Sequence, residues 1–292
     1  MGKINYLARS IVRSLDEARL KCPNCGSSAS CVVDRKYVLT KLRRCVDCGL
    51  LFRTPTDNLE ENAKFYEKSY SQGFTTRLPN REELDELRRS NFAGSEKDYR
   101  YYVDSLQRIG IKPGARIFDF GCSWGYGTYQ FGQAGLEATA FEVAISRRTY
   151  AERELGVSVV RDMREAIADP THCQSYDCFF SAHVLEHVPT PQHAFAFALN
   201  LLKPGGIFVS FTPNGSDPCR KALPAWSRLW GEVHPTFIDN IFLDRSFANS
   251  PRAFGSSPLE DLRLPACAEA VRLDDLSRPE LFFAARKVGN RW

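Results

Sequence analysis

The sequence has no long hydrophobic run, and we expect no targeting segment. It contains no stretch of 18 uncharged apolar residues, which excludes a membrane-spanning helix. The N-terminus lacks the apolar core of a secretory signal, and Tyr6 stands where a myristoylation motif needs Ser or Thr. With 19 Gly and 16 Pro among 292 residues, the chain has too little of either for a collagenous or low-complexity protein. We therefore expect a globular, cytoplasmic protein without a membrane partner.

Cysteine is plentiful by comparison, and its spacing is informative. Ten cysteines in a chain without an export signal favour metal binding or simple burial over a disulfide framework. Two pairs share the form Cys-x-x-Cys-Gly: Cys22 with Cys25, and Cys45 with Cys48, with 19 residues between the pairs. This spacing is typical of zinc sites, and tetrahedral zinc with four thiolates has no open position for a substrate. The pattern predicts a structural zinc ribbon. A redox pair is the alternative, and the other six cysteines are expected to be structural.

Charge is distributed unevenly along the chain. Residues 1–53 carry 11 Lys or Arg against 4 acidic residues, whereas the remainder carries 28 against 31. A basic module of this kind can bind nucleic acid or another polyanion, although solvated charge is the more frequent explanation. The cations on the ribbon that could hold phosphates are Lys36, Lys41, Arg43 and Arg44.

The hydrophobic pattern divides the first third of the chain into two regions. Residues 1–56 predict an amphipathic helix over 4–20, followed by the ribbon with short strands around 32–33 and 37–39. Residues 57–108 are polar and predict a connecting region that covers the entrance to the next domain. Its helices are expected around 58–68 and 81–108.

The third region, residues 109–292, has a different texture. Short apolar runs alternate with helix-length segments, which indicates an α/β domain with a parallel sheet and helices on both faces. The predicted strands cover 116–120, 137–142, 158–160, 178–181 and 207–212, with an edge strand over 281–285.

The first of these strands ends in a run of small residues, which lets the backbone turn sharply and approach a ligand closely. The run follows Asp119 and includes Gly121, Cys122, Ser123 and Gly125. Glu142 ends the second strand, where a carboxylate can accept hydrogen bonds from ribose hydroxyls. A nucleotide-like ligand is therefore expected here. A nicotinamide-dependent dehydrogenase is disfavoured, because the glycine spacing is not Gly-x-Gly-x-x-Gly.

Four motifs together resemble those of the class I S-adenosylmethionine-dependent methyltransferases. They are Asp-Phe-Gly-Cys-Ser-Trp-Gly from Asp119, Phe141-Glu142, Tyr-Asp with Val-Leu-Glu-His-Val within 176–188, and Leu-Lys-Pro-Gly-Gly over 202–206. The resemblance covers about residues 110–213. It implies a Rossmann-like, mostly parallel seven-stranded sheet with helices on both faces, preceded here by the small zinc-ribbon module. It also implies S-adenosylmethionine as the cofactor.

The resemblance assigns roles at the methionine and ribose end of that cofactor. Asp119 would hold the amino group, directly or through water, with the amides around 121–125 beside it. Glu142 would bind the ribose hydroxyls. Ser123 stands where the family usually has glycine. Because serine is small, we expect altered loop detail and retained binding.

At the other end of the cofactor, the resemblance assigns four more residues. Asp162 and Met163 would frame the adenine, the acid accepting from its amine and Met163 packing on the ring. Ala182 and His183 would line the cofactor next to the acceptor.

The candidate catalytic residues are Glu186, His187 and His234. A base must reach the acceptor, and ligands of parallel sheets lie beyond the carboxyl ends of the strands. Because His187 and His234 follow the fourth and fifth strands, we expect both to converge on the acceptor side of the cofactor. His172 and His193 are expected on the outer surface.

The segment from His183 to His187 also spells the inverted zincin motif, which we interpret as coincidence. In ubiquinone-pathway O-methyltransferases, which this segment resembles, a divalent metal polarises the acceptor hydroxyl. Glu186 and His187 match part of that pattern. The alternative is that these two residues cap a helix and pack beside the substrate loop.

The sequence favours a small-molecule acceptor, such as the hydroxyl of a sugar or another metabolite. RNA is the alternative, because the ribbon is basic, but no Asn-Pro-Pro-Tyr-type segment follows the fourth strand and the third region is slightly acidic. A cofactor-binding protein without catalysis is a third hypothesis, and the oligomeric state is left open.

Overall fold

The structure is a computed structural model that describes residues 10–36, 39–57, 61 and 77–292. The helices predicted over 4–20 and 58–68, and the strand predicted around 37–39, therefore fall partly or mostly outside the described residues. In the described part of the first helix, residues 10–14 are helical and a 3-10 turn covers Glu17–Leu20. The described residues contain no helix long and apolar enough to cross a membrane.

The regular elements are as follows in chain order. The strands are β1 (Ser30–Lys36), β2 (Thr40–Cys45), β3 (Leu51–Thr54), β4 (Arg116–Phe120), β5 (Glu137–Phe141), β6 (Ser158–Val160), β7 (Tyr176–Ala182), β8 (Leu202–Pro213), β9 (Thr236–Phe237), β10 (Arg252–Ser257), β11 (Ala270–Arg272) and β12 (Glu280–Arg286). The helices are α1 (Arg81–Arg89), α2 (Arg100–Arg108), α3 (Tyr126–Gln133), α4 (Ile145–Leu155), α5 (Met163–Ala168), α6 (Pro191–Leu201), α7 (Asp217–Ala222) and α8 (Asn240–Ser246).

The large sheet has the order β11-β10-β12-β8-β7-β4-β5-β6. Strands β4 to β8 run parallel, whereas β12 is antiparallel to β8 and to β10. The predicted fold class, an α/β Rossmann-like and mostly parallel sheet, is confirmed. The sheet has eight strands rather than seven, because the three-residue β11 extends one edge.

One predicted strand lies elsewhere in the sheet than expected. Residues 281–285 belong to β12, which is an interior strand between β8 and β10 rather than an edge strand. The expectation was wrong because β10, with the sequence Arg-Ala-Phe-Gly-Ser-Ser, lacks the apolar run that marks a strand.

The core lies on both faces of this sheet. Successive side chains of a strand point to opposite faces. Accordingly, Phe179 of β7 packs in one hydrophobic cluster, with helices α5 and α6, and Phe180 packs in the other, with α2 and α3. A strand buried on both faces needs a nearly continuous apolar sequence, which is why β7 could be predicted.

The predicted helical stretch over 81–108 is two helices, α1 and α2, separated by a turn. Asn91 and Phe92 have φ of 46° and 61°, in the left-handed region that a helix cannot continue through. Asn80 and Glu83 begin α1 with a reciprocal capping box. Helix α2 then brings its tyrosines to the carboxyl edge of the large sheet.

A second sheet, of order β1-β2-β3-β9, contains the predicted ribbon. Strand β9 comes from the segment after β8, and Leu51 pairs with Phe237 and Phe52 with Thr236. The division at 56/57 stays a prediction, but the N-terminal strands share a sheet with a segment of the third region.

Candidate active site

A cavity of about 590 Å³ opens at the carboxyl edge of β4, β5, β7 and β8. Its volume lies within the usual range of small-molecule sites, about 300–1,000 Å³. The turns after these strands form one wall, and tyrosines of α2 and the residue before it form another. The residues predicted from the sequence that line the cavity are Gly121, Ser123, Glu142, Ala182, His183, Glu186, His187 and His234.

The turn after β4 requires its glycines. Gly121 has φ of 87°, and a Cβ there would lie 2.4 Å from Cγ2 of Val184. At Gly125, with the same φ, a Cβ would lie 2.8 Å from Cβ of Ala151. Ser123 adopts φ of 53°, a conformation that costs a non-glycine residue about 1–2 kcal/mol. The serine thus keeps the backbone conformation that glycine favours.

Most backbone amides named for this turn are used within the protein. The amides of Gly121 and Cys122 donate to the carbonyl of Phe141, at 2.8 and 3.1 Å, and the amide of Gly125 donates to Cys122 at 2.9 Å. The turn is therefore held rigidly against β5. It would contribute to ligand binding by letting the backbone approach the ligand closely, rather than by donating hydrogen bonds from these three amides.

Two carboxylates lie near the turn after β4. Asp119 is buried beneath the turn, where its Oδ2 accepts a 2.6 Å hydrogen bond from Thr128 Oγ1. Burial raises the pKa of Asp119 to about 7, and the hydrogen bond from Thr128 opposes this. Glu142 lines the cavity, and its Oε1 accepts from the amide of Ala144 at 2.7 Å. Burial raises the pKa of Glu142 as well, opposed in part by the Ala144 amide and by Arg147.

Several predicted cofactor residues do not reach the wall. In the described part of the chain, the cavity lining does not include Asp119, Cys122, Gly125, Asp162 or Met163. Asp162 caps α5, accepting from the amides of Arg164 and Glu165, and Met163 packs against the core. Their role at an adenine stays a prediction.

His183 connects two carboxylates at the other end of the cavity. Its Nε2 donates to Glu280 Oε1 at 2.7 Å, and its Nδ1 lies 3.6 Å from Glu186 Oε1. Burial opposes protonation, but the hydrogen bonds to both carboxylates raise the pKa of His183 to about 10. Half of the side chain (49%) is exposed. His183 is therefore a cation near neutral pH and a poor candidate for a base.

His187 and His234 converge, with ring centroids 4.7 Å apart. His187 Nδ1 donates to the Val233 carbonyl at 3.0 Å, and His234 Nδ1 donates to the Leu229 carbonyl at 2.5 Å. Because a carbonyl only accepts, these bonds place the proton on Nδ1 and the lone pair of the neutral ring on Nε2. Burial lowers the pKa of His187 to about 4, despite the opposing effect of Glu186.

Glu186 is buried and ionised beside these rings. Burial opposes its ionisation, but the neighbouring imidazoles lower the pKa of Glu186 to about 2. Its Oε2 accepts from Thr212 Oγ1 at 3.0 Å, and its Oε1 lies 3.8 Å from His187 Nε2. The three potential ligand atoms of Glu186, His187 and His234 lie within 4.8 Å of one another, so the donor set also suits a divalent cation.

The inverted zincin arrangement is absent from this segment. Residues 185–187 form one 3-10 turn, and His183 has φ of 55° and faces Glu280. His193 is exposed on α6, and His172 is half-buried against the Tyr176 hydroxyl. In the described residues, neither of them lines the cavity.

Three polar residues that support the histidines were missed in the sequence analysis. Tyr102 donates to Glu280 Oε1 at 2.9 Å, and Thr236 packs against the turn that carries His187. Glu280 immediately precedes the apolar run of β12, so the strand boundary was its only available signal.

The four cysteines of the predicted ribbon come together. Cys22 Sγ lies 3.6 Å from Cys48 Sγ, and Cys25 Sγ lies 3.5 Å from Cys45 Sγ, with all four within 4.8 Å. Tetrahedral zinc with Zn–S bonds of about 2.3 Å needs sulfur atoms about 3.8 Å apart. The hydrogen bond from Cys22 lowers the pKa of Cys48 to about 5. The cluster is consistent with a zinc ribbon. We call residues 21–36 and 39–54 the cysteine module.

The cations of the cysteine module are largely engaged within the protein. Lys36 donates to the Trp230 carbonyl and lies over its ring, and Arg44 pairs with buried Asp239 at 2.6 Å. Arg43 contacts the hydroxyls of Thr54 and Ser30. These side chains join parts of the fold, so the basic patch is less available to a polyanion than its charge suggests.

Comparison with known proteins extends these observations. Residues 95–255, more than half of the chain, match the family model described as a methyltransferase domain. A ubiquinone biosynthesis O-methyltransferase of Photorhabdus laumondii is 31% identical over 111 residues, which are 36% of this chain and 46% of that protein. A sterol 24-C-methyltransferase of Schizosaccharomyces pombe is 24% identical over 139 residues, 46% of this chain and 36% of that protein. The chain thus spans less than half the length of these two relatives, which methylate oxygen and carbon respectively.

Solved structures were compared as well. A geranyl diphosphate C-methyltransferase from Streptomyces coelicolor has a TM-score of 0.47 at 13% identity, covering 78% of this chain and 98% of that chain. A phosphoethanolamine N-methyltransferase from Haemonchus contortus has a TM-score of 0.46 at 15% identity, covering 78% and 60%. At these TM-scores the solved structures say nothing about the acceptor.

Proposed function

The chain belongs to the methyltransferase-domain family, and from that premise we propose that it transfers a methyl group from S-adenosylmethionine to a hydroxyl of a small molecule, such as a sugar or another metabolite. One observation carries the acceptor end of the proposal. His187 and His234 meet beside Glu186 in the wall of the same cavity that Gly121 and Glu142 line. When bound, S-adenosylmethionine would supply an electrophilic methyl group, which is attacked in line with the departing sulfur.

The cofactor end fits a ligand with a ribose and an ammonium group. Glu142 faces the cavity beside the amide of Ala144, and its carboxylate would accept from ribose hydroxyls. Asp119 lies beneath the turn and would accept from the ammonium group, directly or through water. A cation there would favour the ionised form of Asp119, whose pKa burial raises to about 7.

The histidine pair supplies the base. A hydroxyl is a weak nucleophile, so proton removal accelerates its attack. Nδ1 of each ring donates to a backbone carbonyl, so Nε2 is the atom that accepts the acceptor's proton. Attack of the acceptor oxygen on the methyl carbon would send the electron pair of the carbon–sulfur bond to sulfur, and the acceptor's proton would pass to Nε2. Buried, ionised Glu186 stabilises the imidazolium that forms.

The charges of the cavity favour an uncharged acceptor over RNA. Carboxylates of Glu96, Asp98, Glu142 and Glu186 line the cavity, against the guanidinium of Arg147 and the imidazolium of His183. Phosphates of an RNA chain would approach these carboxylates, and the cations of the cysteine module that could compensate are mostly engaged elsewhere.

The Glu186, His187 and His234 cluster is assigned to proton transfer rather than to a divalent metal. Glu186 already has partners at both oxygens, Thr212 at one and His183 at the other. A metal would displace part of this arrangement. The four thiols of the cysteine module, in contrast, have the spacing of a zinc site, and we propose that zinc there is structural.

The test combines calorimetry with a methyl-transfer assay on a panel of hydroxyl acceptors. S-adenosylhomocysteine should bind, and His187→Gln and His234→Gln should lower kcat by roughly a hundredfold to ten-thousandfold with little change in cofactor affinity. His193→Gln, at an exposed position on α6, is the matched control and should keep parental turnover.

Three results would redirect the assignment. Site-specific methylation of ribosomal RNA by the parent would replace the small-molecule acceptor. Binding of S-adenosylhomocysteine without turnover on the panel would favour a non-catalytic cofactor-binding protein. Parental activity in both histidine variants would leave alignment alone as the mechanism.

A further inference from the structure

We propose that the cysteine module is a positioning element for the histidine pair, acting through Thr236 and Asn24. The inference rests on the proposed function for the role of the histidines in proton transfer. The contacts that support the inference are independent of that function. It assigns to the module a role in the geometry of proton transfer, in addition to its own fold.

The first link joins the module to the turn that carries His187. Strand β9 is the fourth strand of the module's sheet, and Thr236 lies in it opposite Phe52 of β3. Thr236 is fully buried, and its Oγ1 lies 3.2–3.3 Å from the carbonyl oxygens of Leu185, Glu186 and Val188. One hydroxyl therefore holds the backbone on both sides of His187.

The second link joins the module to the loop that carries His234. The amide of Arg53 in β3 donates to the carbonyl of Pro235 at 2.8 Å, directly after His234. At the start of the same loop, Trp230 Nε1 donates to Asp34 Oδ2 of β1 at 2.8 Å. The loop is thus attached to the module at both ends, and it supplies the two carbonyls that orient the imidazoles.

The third link comes from the first cysteine pair itself. Asn24, between Cys22 and Cys25, accepts at Oδ1 from the amide of Gln192 at 2.9 Å. Thr190 donates to the Pro23 carbonyl at 3.2 Å. These contacts fix the start of α6, which follows the His187 turn, to the backbone whose conformation a zinc ion would hold.

The three links act on one end of the cavity. They attach to segments 185–192 and 229–236, whereas Gly121, Ser123 and Glu142 lie in turns after β4 and β5. Displacement of a catalytic group by about 1 Å can cost a hundredfold in rate. Loosening the links should therefore lower turnover while the cofactor end keeps its affinity.

The following variants distinguish an effect on the position of the histidines from an effect on folding. Thr236→Val removes the hydroxyl at nearly constant volume, and Thr236→Ser restores it. Asn24→Ala removes the cap acceptor, and Asn24→Asp restores an oxygen there. The matched control is Asp16→Ala, which removes a cap acceptor for Ala18, within the segment preceding the module.

Two readouts are needed. Kinetics and calorimetry should show kcat lowered by about tenfold to a hundredfold in Thr236→Val and Asn24→Ala, with S-adenosylhomocysteine affinity within about twofold of the parent. Nitrogen NMR of the imidazoles, assigned with His187→Gln and His234→Gln, should show the fixed Nδ1–H tautomer of the parent become averaged in Thr236→Val. Thr236→Ser and Asn24→Asp should recover both signals, and chelation of zinc should produce the averaged spectrum.

Unchanged imidazole spectra in Thr236→Val and in the zinc-free protein would overturn the inference, whatever the activity. Parental kcat in both Thr236→Val and Asn24→Ala would overturn it as well. If the parent methylates no acceptor, the proposed function fails, while the spectra still decide whether the module positions the pair.

Discussion

The parent protein should become less stable in mild acid because of His187, and replacing His187 with glutamine should abolish this pH dependence. His187 is 15% exposed, and burial lowers its pKa to about 4. In the unfolded chain a histidine titrates at about 6.5, so between these two values unfolding takes up a proton that the folded chain does not carry. The contribution of His187 to stability is therefore intact above about pH 6.5 and falls as the pH is lowered towards 4.

The size of the effect follows from the shift. A lowering from 6.5 to about 4 corresponds to about 3 kcal/mol of unfolding free energy at full extent, since each pKa unit is worth about 1.4 kcal/mol. Asp119 acts in the opposite direction, because its pKa is raised to about 7. The prediction therefore concerns the difference between two proteins, in which Asp119 cancels.

The assay is urea unfolding followed by tryptophan fluorescence at several pH values from 4 to 7, for the parent, His187→Gln and His193→Gln. The difference in unfolding free energy between the parent and His187→Gln should change by about 3 kcal/mol over this pH range. The parent should lose stability faster as the pH falls. His193 is exposed, so His193→Gln should run parallel to the parent. Parallel curves for all three proteins would refute the conclusion that His187 is held neutral.

Four further outcomes are expected. Affinity for S-adenosylhomocysteine should fall as the pH is lowered below about 7, since Asp119 must ionise to accept from an ammonium group, and Asp119→Asn should flatten this dependence in calorimetry. Glu142→Ala should weaken binding of the same ligand by about tenfold to a hundredfold, the range for hydrogen bonds to a charged group. Elemental analysis should find one zinc per chain, reduced in Cys48→Ser, and zinc-free protein from a chelator-free preparation would contradict this. Turnover should survive removal of exchangeable divalent ions, and dependence on added Mg²⁺ or Mn²⁺ would assign Glu186 to a metal site instead.

The parallel half of the large sheet could be predicted because its strands carry short apolar runs that alternate with helix-length segments. Strands β4, β5 and β6 begin and end within one residue of the predicted bounds, and the resemblance to class I methyltransferases is confirmed by the family match. The convergence of His187 and His234 followed from the same topology, since both residues come after strands that end at one edge.

Other parts of the site depend on contacts that no local pattern encodes. Strand β9 has two residues, too few for a periodicity, yet it attaches the His234 loop to the cysteine module. The positive φ of Asn91 and Phe92, which ends the predicted helix over 81–108, also has no signal in the hydrophobic pattern. Asp162 caps α5 through Oδ1, a contact that depends on where α5 begins, and its role at the adenine stays a prediction.

Glu280 shows where a topological prediction could have gone further. Residues at the ligand edge of a parallel sheet are sought after strands, because the carboxyl ends of those strands meet there. Strand β12 runs antiparallel to β8, and Glu280, its first residue, pairs in register with Pro213 at the end of β8. An antiparallel strand inserted in such a sheet therefore brings the residue at its beginning to the ligand edge. That rule places Glu280 beside His183, and it explains why the acid that holds this imidazole begins its strand while the catalytic candidates follow theirs.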